Sequence, residues 1–454
     1  MNFYNFNLDR MTKTQLFLIF SYIVCWFSIS TTFIDVKIFY VSYISPYLEN
    51  YQMFKSNTFH YSLFLNFCRQ ILNILIFPVL LLLLIKRINS IKIKQNLIFF
   101  CFFIYFLLQI PGLIFHQISF INLVYLMSGL NILIILQLSN YHFDKNKYII
   151  FGLISLLMLI LITILNYKTF VNFIHDDSRA LYTFFTSSET FLGKDSPRST
   201  GSSRTFLLIL IISLIIFKNL FKKKEYLKNM LFIIVATIIL LFQSRTTFIL
   251  LIIFIILNYK YQRLTKVEDK FKYFFIHIIC PIFFLFIIII LKNLPLIQET
   301  FREGLLNQGQ TIDLMKKDFQ RPIDPLTYSS GRFEDWYNLY FKIKESPLIG
   351  YGIQGDRFTV GQSASNGILY ALSSSGLIGF FFFSFLTICS LKLIFKTLLF
   401  NKKKNNKNYF CSIIILIIIL RSILESSYAV FGIDFIIFST FLFLLNKLNQ
   451  KNEY

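Results

Sequence analysis

The sequence predicts an all-helical polytopic membrane protein with about twelve spanning helices and a large outer loop that carries short helices. The first observation is composition, since 56% of the 454 residues are hydrophobic and only 15% are charged. The second is that apolar runs of about 18 or more residues recur from one end of the chain to the other. The third is that basic clusters follow every second apolar run, which is typical of loops on the cytoplasmic side.

The apolar runs define the predicted spans in chain order. The first run lacks a small-residue cleavage site, which favours a spanning helix over a cleaved signal. The predicted spans are 15–34, 62–85, 97–115, 118–138, 148–166, 205–218, 229–243, 245–258, 273–291, 366–391, 409–425 and 429–446. Basic clusters begin at Lys86, Lys145, Lys218, Lys260 and Lys396. The alternation predicts a multi-pass protein with both termini in the cytoplasm.

The run 229–258 tests this scheme. As one long helix it would place two strongly basic loops on opposite sides of the membrane. As two short helices that turn at Gln243, Ser244 and Arg245, it keeps both loops inside. We therefore predict two helices.

The net charge of +22 could suggest a nucleic-acid partner. The excess of Lys and Arg lies in the loops assigned to the cytoplasm, whereas the stretch 292–364 holds about nine charges of each sign. We therefore interpret the basicity as a topology signal with membrane lipids as the contact, and we predict no nucleic-acid partner.

No cofactor or metal is predicted. The six cysteines lie in or beside apolar runs without a C-x-x-C pair, which favours small core residues. His175, Asp176 and Asp177 are adjacent, so their side chains point in different directions and make a poor metal site. The stretch Gly350–Gly355 matches G-x-G-x-x-G but has no βαβ context, so we expect a tight turn that re-enters the membrane region.

The polar stretch 292–364 is the predicted outer loop, and it divides the chain. The predicted domains are 1–204, the N-terminal helices with a first outer loop; 205–395, a core with the large loop; and 396–454, a C-terminal hairpin. Within the loop, Phe333, Trp336, Tyr337 and Tyr340 recur at helical spacing before Pro347, which predicts an amphipathic helix at the outer membrane surface.

Charged residues at membrane depth are costly and mark sites or pairs. Arg421 and Glu425 are four residues apart, so one helix face would carry both. They would form either a structural ion pair or an anion-binding arginine beside a carboxylate that takes a proton. Asp434 lies at the edge of the last run, and Arg69 is left without an assignment.

Further arginines are expected on the outer side. Arg198 and Arg204 precede a helix, Arg245 lies at the outer turn, and Arg332 opens the amphipathic helix. A guanidinium binds phosphate oxygens bidentately and keeps its proton, although a salt bridge at the rim is an alternative for Arg332. Permanent cations with few carboxylates suit a lipid substrate whose leaving group is a pyrophosphate.

At these residues the chain resembles the O-antigen polymerase and O-antigen ligase superfamily of polytopic membrane glycosyltransferases. The resemblance lies in spaced blocks between about Pro197 and Phe435: PRSTGSSR, QSRTTF, SSGRFEDW, SPLIGYG, SASNGILYALSSSGLIG and RSILESSYAVFGIDF. The first half resembles the family only in its helices.

The resemblance implies an enzyme that transfers a glycan from an undecaprenyl-pyrophosphate carrier at the outer face of the inner membrane. It implies no metal and no nucleotide. The implied catalytic residues are Arg245, Arg332, Arg421 and Glu425, the last as a base for the acceptor hydroxyl. The implied substrate-binding residues are Arg198, Arg204, Gly331 and Asn366. An undecaprenyl-pyrophosphate-linked oligosaccharide is the implied partner, and a chain-length regulator is a further candidate.

One departure bears on the reaction. Ligases of this superfamily commonly carry a histidine near the Asn-containing block, where this chain has Ser363, Ala364, Ser365 and Asn366, and no histidine follows His277. This favours a repeat-unit polymerase over a ligase that would accept lipid A core. A lipid-linked oligosaccharide flippase is the alternative from another class, and it has little use for the outer loop.

Overall fold

The computed structural model describes residues 11–29, 59–87, 96–116, 120–144, 147–165, 199–242, 244–262, 267–288, 332–360, 364–399 and 406–450. This part of the chain is helical and contains no strand, which confirms the predicted all-helical class. His175, Asp176, Asp177, Arg198 and Gly331 lie outside the described residues.

Sixteen α-helices are described. They are α1 (Lys13–Phe27), α2 (Phe59–Arg87), α3 (Leu97–Leu107), α4 (Gln109–His116), α5 (Phe120–His142), α6 (Ile149–Leu165), α7 (Ser199–Ile216), α8 (Lys218–Lys223), α9 (Glu225–Leu241), α10 (Arg245–Gln262), α11 (Val267–Phe274), α12 (Arg332–Glu345), α13 (Gly355–Val360), α14 (Gly367–Leu399), α15 (Asn406–Arg421) and α16 (Ile433–Gln450). A π-helical turn, Phe275–Ile279, follows α11, and a 3-10 turn, Ser427–Ala429, precedes α16.

The chain divides into two compact units. The first comprises Met1–Leu165, Ile211–Asn219 and Asp335–Tyr454, and the second comprises Asn166–Leu210 and Leu220–Glu334. In the first unit, α5 packs against α1, α2 and α16, while α14 packs against α3 and α15. In the second unit, α9 packs against α10 and against the π-helical turn.

The core of the first unit combines apolar packing with satisfied polar groups. Tyr22 in α1 is fully buried, and its hydroxyl lies 2.7 Å from the hydroxyls of both Ser155 and Thr440. Polar side chains away from water need such partners, so these contacts tie α1, α6 and α16 together in a fixed register.

Four described helical segments are long and apolar enough to cross a membrane: Leu97–His116, Asn122–His142, Val267–Ile288 and Gly367–Leu398. Four shorter apolar helices accompany them. Val267–Ile288 exposes several large side chains, including Phe283, Phe284 and Phe286, as expected of a lipid-facing surface. The protein is therefore a multi-pass membrane protein, and each of the twelve predicted spans overlaps an observed helix. The number that cross the bilayer stays a prediction.

Two of the predicted helical features are present in the structure, and one predicted span is interrupted. The run 229–258 forms two helices, because α9 ends at Leu241 and α10 begins at Arg245, so this prediction is confirmed. The helix predicted before Pro347 is α12. The predicted span 366–391 is interrupted, because Gly376 inside α14 has φ 62° and ψ −167°, far from helical values.

Candidate functional site

The centre of the candidate site is the backbone of Ala364, which is held from both sides. The indole Nε1 of Trp336 in α12 donates a hydrogen bond of 2.7 Å to the Ala364 carbonyl. The Ala364 N–H donates a hydrogen bond of 2.7 Å to Oδ2 of Asp356 in α13. Both Ala364 and Asp356 are 2% exposed, so water does not compete for these groups.

Asp356 is a buried carboxylate in this arrangement. Burial raises the pKa of Asp356, while the hydrogen bond from Ala364 N–H and the charge of Arg357 lower it. Its second oxygen, Oδ1, is buried without a hydrogen-bond partner among the described residues. The carboxylate thus accepts the hydrogen bond from the Ala364 N–H through one of its two oxygens.

Asn366 continues the site by capping α14. Its Oδ1 accepts from the backbone N–H groups of Ile368 (2.9 Å) and Leu369 (3.1 Å), as N-cap side chains do. Its Nδ2 donates to the Ile423 carbonyl at 2.9 Å, and the Gly367 N–H donates to the Ser422 carbonyl at 2.7 Å. These bonds fasten the start of α14 to the turn that follows α15. We call Trp336, Asp356, Ala364, Asn366 and Ile423 the Ala364 junction.

Arg421 at the end of α15 forms a buried ion pair with Asp434 in α16. The two side chains are 7% and 2% exposed. The Ser427 hydroxyl donates to the same carboxylate oxygen at 2.9 Å. Ser427 has φ 41°, an unfavourable value for a residue with a side chain, so these contacts must hold the turn against local strain.

The predicted pairing of Arg421 with Glu425 on one helix face is wrong. The helix α15 ends at Arg421, and residues 422–424 form turns, so Glu425 lies beyond the helix. The i,i+4 rule applies only within a continuous helix. Glu425 is instead half-buried in the turn, two residues after Ile423 of the Ala364 junction.

Aromatic side chains lock this turn onto the bundle. The Tyr428 ring stacks on Phe438 with centroids 4.1 Å apart, and its hydroxyl lies 2.6 Å from the Thr387 hydroxyl. The Tyr105 hydroxyl donates to the Ala429 carbonyl at 2.9 Å. The turn between α15 and α16 is therefore anchored to α3, α14 and α16.

The glycine-rich segment 350–355 packs into the interruption of α14. The N–H groups of Tyr351 and Gly352 donate to the carbonyls of Ser373 (2.7 Å) and Ser374 (2.9 Å), just before Gly376. Gly350 and Gly352 have φ values of 70° and 82°, which confirms the predicted tight turn. A Cβ on Gly112 of α4 would lie 2.4 Å from the Gly352 nitrogen, so the segment is pressed between α4 and α14.

The remaining predicted arginines that the structure describes lie in or begin three helices. Arg204 is half-buried in α7, while Arg245 and Arg332 are the first residues of α10 and α12. Phe206 in α7 stacks on Phe242 with centroids 6.3 Å apart. Phe206 lies two residues after Arg204, and Phe242 lies three residues before Arg245, so this stacking joins α7 to the end of α9. The grouping of the arginine side chains stays a prediction.

Sequence reasoning missed Asp356. The available signal was an acidic residue directly after a glycine-rich turn in a block with few other charges. The sequence marks Trp336 as a residue of the amphipathic helix but not as a hydrogen-bond donor. It marks Asp434 as a charge at membrane depth but does not identify its partner. Among the described residues, no group of three His, Cys, Asp or Glu side chains could hold a metal ion.

The helices and buried charges define a multi-pass membrane protein, helical throughout the described residues, with a polar junction beside α14. Residues 230–384 match the family model described as O-antigen ligase, which supports the O-antigen ligase and polymerase superfamily resemblance. The matched range contains Arg245, Arg332, Asp356 and Asn366. No curated protein matches the chain. No solved structure matches it either.

Proposed function

We propose that the protein is a repeat-unit polymerase of O-antigen or a similar polysaccharide. The donor is a glycan chain on undecaprenyl pyrophosphate, and the acceptor is the terminal sugar hydroxyl of a fresh lipid-linked unit. The hydroxyl oxygen bonds to the anomeric carbon of the donor, the bond from that carbon to the pyrophosphate oxygen breaks, and undecaprenyl pyrophosphate leaves. The observation that carries the proposal is the match of residues 230–384 to the O-antigen ligase family.

Arginines are proposed to hold the departing pyrophosphate. Arg198, Arg204, Arg245 and Arg332 are assigned this role, because fixed cations stabilise charge that develops on a leaving group. The stacking of Phe206 on Phe242 supports the grouping of Arg204 with Arg245. No metal or nucleotide is part of the proposal, so activity is expected to survive EDTA.

The Asn366 end of the Ala364 junction is proposed to organise the acceptor side. Asn366 and Gly331 are proposed to contact substrate. Asn366 also fixes the turn that carries Glu425 through its bond to Ile423. Glu425 is half-buried and is proposed as the base that takes the acceptor proton. The ion pair with Asp434 neutralises Arg421, so we assign Arg421 to holding this turn.

Ligation of the glycan to lipid A core is the second candidate, because the matched family is described as O-antigen ligase. Ser365 stands in the block where ligases of the superfamily commonly carry histidine, and this favours the polymerase. Purified protein offered each acceptor separately distinguishes the two reactions. New glycosidic bonds on the lipid-linked unit alone support the polymerase, and transfer to lipid A core alone overturns it.

The arginine assignments are tested by polymer length in cells that depend on this protein. Arg245→Ala and Arg332→Ala are expected to reduce polymer formation by about a hundredfold, the usual loss on removing a transition-state contact. Arg87→Ala is the matched control, since Arg87 ends α2 on the predicted cytoplasmic side. Wild-type ladders from well-expressed Arg245→Ala and Arg332→Ala proteins would rule the assignments out.

A further inference from the structure

The Ala364 peptide joins three successive helices of the chain, α12, α13 and α14. Its carbonyl accepts a hydrogen bond from Trp336 of α12, and its N–H donates one to Asp356 of α13, each at 2.7 Å. Asn366 follows two residues later and caps α14. Neither bond depends on the methyl side chain of Ala364. The contact therefore fixes backbone position, which is what a scaffold for neighbouring side chains needs.

The bond from Trp336 sets the position of the first turn of α12. Arg332 begins this helix, one helical turn before Trp336. A helix is rigid over one turn, so a shift at Trp336 displaces the backbone of Arg332 by a similar distance. A misplacement of about 1 Å is enough to weaken a charged contact in an active site severely.

Asp356 is costly for the fold, which argues that its contact is needed. The residue is 2% exposed, and burying a carboxylate is unfavourable unless partners compensate for lost water. The hydrogen bond from Ala364 N–H and the charge and backbone of Arg357 compensate only in part, since burial still raises the pKa of Asp356. Its Oδ1 has no hydrogen-bond partner among the described residues. A neutral acceptor of the same shape could make the same bond at lower cost.

We propose that Trp336 and Asp356 are a pair of positioning residues that hold the Ala364 peptide, and through it place Arg332 for the lipid diphosphate. The inference rests on the function proposed above for Arg332. Neither residue needs to contact the substrate, so a hydrogen-bond acceptor at position 356 matters and its charge does not. This separates a positioning role from that of a catalytic carboxylate.

The test measures binding of undecaprenyl pyrophosphate to the purified full-length protein in detergent. Trp336→Phe removes the donor and keeps an aromatic ring, while Asp356→Ala removes the acceptor. Each is expected to raise the Kd about tenfold, the effect of one lost hydrogen bond at a buried position. Asp356→Asn keeps the acceptor and is expected to stay within about twofold of wild type. Trp26→Phe, at the other tryptophan of the chain, buried in α1, is the matched control.

A double-mutant cycle then asks whether the pair acts through Arg332. Added to Arg332→Ala, Trp336→Phe is expected to weaken binding no further, because the side chain that it places is gone. Additive effects would show that Trp336 does not position Arg332. Asp356→Asn as harmful as Asp356→Ala would also overturn the proposal, since the charge would then matter.

The binding of the single variants distinguishes a wrong function for Arg332 from a wrong role for Trp336 and Asp356. If Arg332→Ala binds the probe as tightly as wild type, the function proposed for Arg332 is wrong and the positioning role falls with it. If Arg332→Ala weakens binding while Trp336→Phe and Asp356→Ala leave it unchanged, the function stands and the positioning role is wrong. If Trp336→Phe does not fold, the binding of undecaprenyl pyrophosphate to Asp356→Ala tests the positioning role.

Discussion

The buried pair of Arg421 and Asp434 allows a quantitative prediction about stability. Replacing either partner by alanine leaves the other charge without its oppositely charged partner in a buried part of the bundle. The side chains are 7% and 2% exposed, so solvent screening is weak. Breaking such a pair from one side costs about 3–5 kcal/mol, and the Ser427 bond to Asp434 adds to the cost in Asp434→Ala.

The two single variants and the double variant form a thermodynamic cycle. Because removing both charges eliminates the uncompensated one, Arg421→Ala with Asp434→Ala is expected to be less destabilised than the sum of the singles by about 0.5–3 kcal/mol. The assay is unfolding of the purified protein in detergent micelles, followed by intrinsic fluorescence. Lys342→Ala is the control, because its pair with Glu345 is exposed (43% and 58%) and little change is expected.

Small and additive losses in the free energy of unfolding of these variants would refute this reasoning. If each single variant unfolds like the wild type, the pair does not hold the turn between α15 and α16. In that case Arg421 becomes available again for the diphosphate. A loss of polymer formation in Arg421→Ala without a loss of stability would point the same way.

Three further predictions concern backbone space, pH and the proposed base. Gly376→Ala is expected to destabilise the protein by about 1–3 kcal/mol in the same unfolding assay, since φ is positive and the new Cβ would lie 2.2 Å from the Leu348 oxygen; Gly432→Ala, with nothing within 4 Å, is the control. Burial raises the native pKa of Asp356 above its unfolded value, so the native state holds this proton more tightly. The free energy of unfolding should therefore fall as pH rises from the unfolded pKa of Asp356 to its native pKa. Asp356→Asn should remove that fall in unfolding curves measured at a series of pH values. An unchanged pH profile in Asp356→Asn would contradict the burial argument. Glu425→Gln is expected to reduce the polymerisation rate by about 10²–10⁴-fold without a loss of undecaprenyl pyrophosphate binding, and a fully active variant would exclude Glu425 as the base.

Helix positions were predictable from the sequence because they depend on local pattern. Long apolar runs must hydrogen-bond their own backbone in a bilayer, so hydropathy located the helices that overlap the predicted spans, apart from the division of 229–258. The turn between α9 and α10 followed from charge balance between loops, and the tight turn at Gly350 from the need for positive φ.

Partners across the fold were not predictable in the same way. The sequence placed Arg421 near Glu425 by spacing, yet the helix stops at Arg421 and the guanidinium pairs with Asp434, thirteen residues later. Ala364 has no polar side chain, so no pattern marks it as the point where Trp336 and Asp356 meet. Backbone hydrogen bonds carry no residue code outside regular elements, and the choice of partner depends on which segments the packing brings within 3 Å. The sequence by itself thus determined a helical membrane protein of recognisable superfamily, and tertiary structure alone decided which charges are neutralised and which peptides are held.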